Sequence, residues 1–94
     1  VELTRDNDLS FVYEAPGITM GVITLSGYYK GASVAKFFRS AMPKQQWQFL
    51  NAFSEGDSYM LNFLKPKKLC VINIREGALS TRVTIKVGPT KTGP

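Results

Sequence analysis

The chain has 94 residues, 44% apolar and 20% charged, which suits one domain around a single modest core and excludes a disordered segment. No apolar run approaches the roughly 20 residues that a bilayer-spanning helix needs. Twelve bases stand against seven acids, for a net charge of +5, and there is no histidine, which removes His-activated nucleophiles and the commonest metal ligand.

The chain opens on "VELTRDNDL", without an initiator Met, a basic n-region or an apolar h-region, and reads as a processed fragment. Residues 1–14 carry Glu2, Asp6, Asp8 and Glu14 against Arg5, a balance of −3. Residues 15–94 carry eleven bases against Glu55, Asp57 and Glu76, a balance of +8. Residues 1–9 therefore read as an acidic arm, residues 10–88 as one basic domain, and residues 89–94 as a flexible polar tail. The basic excess suits anionic partners, or simply a solvated surface of high pI.

"FVYEA" (11–15) is a short β-rich run closed by Pro16-Gly17, and "MGVITLSGYY" (20–29) follows as its hairpin partner, with glycines that suggest a bulge. The period then changes. Val34, Phe37, Phe38 and Ala41 stand at i, i+3, i+4 and i+7, one face of a helix of about ten residues, with Lys36, Arg39 and Ser40 opposite. Gly31 or Ser33 is the expected N-cap, and Pro43 disfavours helical geometry at Met42.

Beyond Pro43 the period drops to two. "WQFLNAF" (47–53) sets Trp47, Phe49 and Phe53 on one face. "SEGD" turns the chain into "SYMLNFL" (58–64), "KPKK" turns it into "LCVINIR" (69–75), and "EGAL" leads to "STRVTIKV" (80–87). Short turns join antiparallel neighbours. The expected class is α+β: an antiparallel sheet of five to six strands with one short helix on one face, in the order β-β-α-β-β-β-β. The aromatics of residues 37–50 are expected to form the seam between helix and sheet.

Two strands are apolar on both faces. If Tyr59, Leu61, Phe63, Cys70, Ile72 and Ile74 face the helix, then Met60, Leu64, Leu69 and Val71 point the other way. Either the first hairpin folds across that side or another chain covers it, so these four residues form a candidate apolar interface, with self-association one outcome.

The chemistry of the chain is sparse. Cys70 is the only cysteine, which excludes an internal disulfide and a cysteine metal cluster, and its apolar run suits a buried, inert thiol. Glu55 and Asp57 flank Gly56 on a turn with no further ligands at calcium-loop spacing. No phosphate loop or dinucleotide fingerprint is present. No catalytic, metal or cofactor residue is assigned, and the expectation is a protein that is not an enzyme. Lys65, Lys67 and Lys68 crowd one turn, and Arg75, Arg82 and Lys86 follow on strands, giving a candidate contact for an anion or partner. With Tyr28, Tyr29 and Tyr59 these bases are also the raw material of a nucleic-acid platform, although the two helices and the aromatic motif of the RNA-recognition fold are missing.

The "FVYE" and "GVITLSG" strands, the segment "VAKFFRSAMPKQQWQFL", the "LCVINI" strand and a closing "STRVTIKVGP" resemble a family of small uncharacterised bacterial envelope proteins, often made as lipoproteins. The resemblance spans most of residues 10–89 and is most specific at Phe37-Phe38, Met42-Pro43 and Trp47; members usually carry glycine where this chain has Gln46. It implies an exported domain, periplasmic or tethered to the outer membrane through a lipidated cysteine beyond this chain, and it implies no activity. Two functions stay open: a non-catalytic envelope module that binds protein or an anionic envelope component, and a basic nucleic-acid-binding domain.

Overall fold

The computed structural model describes residues 3–15 and 18–89. Six strands and one helix follow in chain order: β1 (Thr4–Ala15), β2 (Ile18–Gly27), α1 (Gly31–Ala41), a 3-10 turn (Met42–Gln45), β3 (Gln48–Glu55), β4 (Ser58–Lys65), β5 (Lys68–Glu76) and β6 (Thr81–Pro89). The strands form one sheet in the order β1-β2-β6-β5-β4-β3, every neighbour antiparallel. Closing this order takes one long step: α1 carries the chain from β2 across to the far edge at β3, and a meander of tight turns brings it back until β6 zips against β2. The class is α+β, with one antiparallel sheet and one helix over one face.

The N-terminal boundary differs from expectation. Residues 4–9 are no detached arm; they belong to β1, where Thr4, Arg5 and Asp6 pair with Ser26, Leu25 and Thr24. The irregularity anticipated for the glycine-bearing strand β2 lies instead in β1, where residues 7–10 stand opposite Ile23 alone. This excursion is tied down: the Ser10 hydroxyl donates to the Asp6 carbonyl and accepts the Thr24 N–H, while the Thr24 hydroxyl donates to the Leu9 carbonyl. At the other end Gly88 and Pro89 extend β6 beyond the expected strand, and the rest of the proposed tail lies outside the described residues.

The helix meets the sheet through Gly31, Val34, Ala35 and Phe38, spaced i, i+3, i+4 and i+7. Phe37, expected in the core, is 39% exposed and lies edge-on to Phe38. The physical reason is size. Gly31 and Ala35 let the helix axis approach β4 and β5, and that approach rotates the bulkier Phe37 outward. A Cβ on Gly31 would sit 2.6 Å from the ring of Tyr59, so the residue must be small. The N-cap is Lys30 and not Gly31 or Ser33; its side chain makes no capping bond, and the Glu76 carboxylate from β5 accepts the Gly31 N–H instead. A carboxylate there also complements the positive end of the helix dipole.

Below the helix lie Leu61 and Phe63 of β4, Cys70, Ile72 and Ile74 of β5 and Val83 of β6, all buried, with Met42, Trp47, Tyr59, Ile85 and Val87 half-buried around them. These are the residues of one parity on each strand, as an antiparallel ladder demands. The seam is therefore only partly aromatic: Phe38 and Trp47 join it, while Phe49 keeps about a third of its surface exposed and packs edge-on to Phe63.

Candidate functional site

The expected split of β4 and β5 into two apolar faces is what the ladder shows. On the face away from α1, register pairs Leu64 with Leu69, Met60 with Asn73, and Asn62 with Val71. Continuing onto β6 places Lys86 beside Val71, Thr84 beside Asn73 and Arg82 beside Arg75. Three of the six candidate bases, Arg75, Arg82 and Lys86, thus share one surface with the whole apolar set, Met60, Leu64, Leu69 and Val71. Met60 is 38% exposed and the other three are half-buried by their neighbours in the sheet.

The remaining bases do not join them. Lys65 and Lys68 are directly paired and fall on the helix side, where the Lys65 ammonium lies 4.7 Å over the ring of Trp47. That contact is a cation–π interaction at a half-buried ring. Lys67 sits at the turn between β4 and β5 with φ 66, a left-handed conformation unusual for a lysine. The lysine turn is also remote from two of the tyrosines once grouped with it. Lys68 pairs with Pro89 at one end of β6, whereas Gly27, just before Tyr28 and Tyr29, pairs with Thr81 at the other. A single platform of lysines and tyrosines is not assembled.

Sequence reasoning missed two members of the open face and placed Phe53 on the wrong side. A register shift between Phe49 and Asn51 leaves Leu50 as an extra residue, so Phe49 pairs with Phe63 on the helix side while Phe53 pairs with Met60 on the open side. Phe53 is 63% exposed there. Phe11, paired with Val22 at the opposite flank, is 58% exposed. The third feature is a cover: Val22 and Thr24 lie on the same face yet are buried, under the β1 segment that bonds to Thr24. The first hairpin therefore covers the β2 flank of this face and leaves the β4–β5–β6 part open.

The open face mixes polar groups with its apolar patch. The half-buried Asn62 side-chain amide donates to the side-chain Oδ1 of Asn51 across β3 and β4 at 2.6 Å, and Asn73 and Thr84 stand as a polar pair between the apolar patch and the arginines. Cys70 faces the helix, and burial pushes its thiol up to about 11. Among the described residues no group of three potential metal ligands converges. No family model matches the chain, and no curated protein or solved structure matches it significantly.

Proposed function

We propose that the domain is a non-catalytic interaction module whose open sheet face receives an acidic, amphipathic segment of a partner protein. One observation carries this reading: Arg75 and Arg82 are set directly opposite each other, and Lys86 stands farther along β6 beside Val71, all on the same uncovered face as Met60, Leu64, Leu69 and Val71. Two like charges side by side in a ladder are destabilising, and an anionic partner reverses the sign of that term. The apolar patch supplies area, and the three bases supply orientation and on-rate.

The resemblance carried by residues 10–89 supports, as part of this proposal, a module of the bacterial envelope of the lipoprotein type. No described helix is long and apolar enough to cross a membrane. The test uses poly-L-glutamate as the acidic polypeptide, with phosphatidylglycerol vesicles and single-stranded oligothymidylate as competing anions. Replacing Arg75, Arg82 and Lys86 together by Gln should weaken poly-glutamate binding about tenfold, while Lys36, Lys44 and Lys67 changed together to Gln should leave it within about twofold. Equal losses in the two triple variants would reduce the effect to net charge. Much tighter binding to the oligonucleotide, with a steep fall as salt rises, would transfer the face to the nucleic-acid reading.

A further inference from the structure

The two edges of the sheet are protected very differently. Edge strand β1 carries Arg5, Asp6, Asp8 and Glu14 and is interrupted at residues 7–10. Charges and irregularities of this kind are how sheet edges avoid pairing with other strands. Edge strand β3 reads "QFLNAFSE", with no proline or base, and its one charge, Glu55, lies at its end. Every residue of β3 is exposed, Phe49, Leu50 and Phe53 among them. Among the described residues no strand pairs with its outer side, and α1 packs mainly on β4 and β5, reaching β3 through Arg39, whose guanidinium lies 4.4 Å over the Phe49 ring.

We propose that β3 pairs antiparallel with β3 of a second copy of this chain, joining two six-stranded sheets into one. The bulge at Leu50 sets the register, because it confines regular pairing to the segment from Asn51 to Glu55. Antiparallel pairing of that segment with itself centres on Phe53. It sets Phe53 against Phe53 of the second copy, Ala52 against Ser54, and Asn51 against Glu55. The strand is thus complementary to itself: two exposed rings cover each other on the two-fold axis, and each Glu55 meets an amide instead of another carboxylate. A different protein would gain nothing by charge from so neutral an edge, whereas an identical strand matches it residue for residue. The assembly closes at two, since each copy's remaining edge is the charged, irregular β1. Both open faces then lie on the same side of the joined sheet, leaving the bases of each free for its own partner.

Sedimentation velocity and a site-specific cross-link test this together. The wild-type chain should sediment as a dimer at micromolar concentration, and Phe53→Lys as a monomer that still melts cooperatively, at a midpoint no longer dependent on concentration. Phe53→Cys should cross-link under mild oxidation about tenfold faster than Leu79→Cys, since the first pair is held together and the second is not. Leu79 is 88% exposed, and buried Cys70 stays silent in both. A wild-type chain that remains monomeric, a Phe53→Lys chain that remains dimeric, or equal cross-linking at the two positions would overturn the proposal. If Phe53→Lys fails to fold, the cross-linking comparison still decides. Because Phe53 itself lies on the open face, the dimer is judged by sedimentation and cross-linking alone and the poly-glutamate reading by the Arg75, Arg82 and Lys86 variant, so the two proposals fail separately.

Discussion

Gly31 shows how far one hydrogen atom in place of a methyl group shapes this molecule. Its Cβ position lies against the Tyr59 ring, and its N–H is held by Glu76, so it fixes both the height and the start of the helix. Gly31→Ala gains helix propensity yet forces that ring aside, and a net loss of about 1–3 kcal/mol is expected in urea unfolding. An unchanged or raised midpoint would show that Tyr59 gives way freely. Cys70 provides a pH readout of the core. Burial raises its thiol from 9.0 to about 11, so the neutral form is favoured in the folded state. The resulting stability is complete below pH 9 and is lost as pH rises from about 9 to 11, by about 2–3 kcal/mol. Measured against Cys70→Ala, which shares every other titration, the wild-type advantage should shrink over that window; a constant gap would contradict burial as the cause.

At the scale of elements, the helix and β3 show where a pattern of apolar residues misleads. The period of α1 was legible and its phase was not, because a count of large residues favours Phe37 whereas close packing favours Gly31 and Ala35. Phe38→Ala should therefore cost about 3–5 kcal/mol and Phe37→Ala less than about 1.5 kcal/mol in denaturant titrations. Comparable losses would restore Phe37 to the core. The bulge at Leu50 was invisible for a related reason. No glycine announces it, and one extra residue turns Phe53 from the core side to the open side. Gln46 behaves in the reverse way: with φ 66 it occupies a left-handed position where glycine is at ease, although the chain carries a glutamine there.

For the whole molecule, alternation along "TRVTIKV" together with the short turns made the antiparallel sheet and its single helix readable from composition and period. The split of the basic set was not readable, since it depends on which strands become neighbours. Only the pairing of β5 with β6 brings Arg75 to Arg82 and Lys86 to Val71, and only the β2–β6 contact carries the lysine turn away from Tyr28. Strand β5 has a buried face and, under the proposed function, a binding face one residue apart. Substituting Glu at Val71 and, separately, at Ile72, then measuring urea stability and poly-glutamate affinity for each chain, tests it directly. Val71→Glu should stay folded with a loss below about 1.5 kcal/mol and bind about tenfold more weakly, whereas Ile72→Glu should not fold, because it buries an unpaired charge. A Val71→Glu chain that unfolds alongside Ile72→Glu, or that folds and binds as tightly as wild type, would contradict the account.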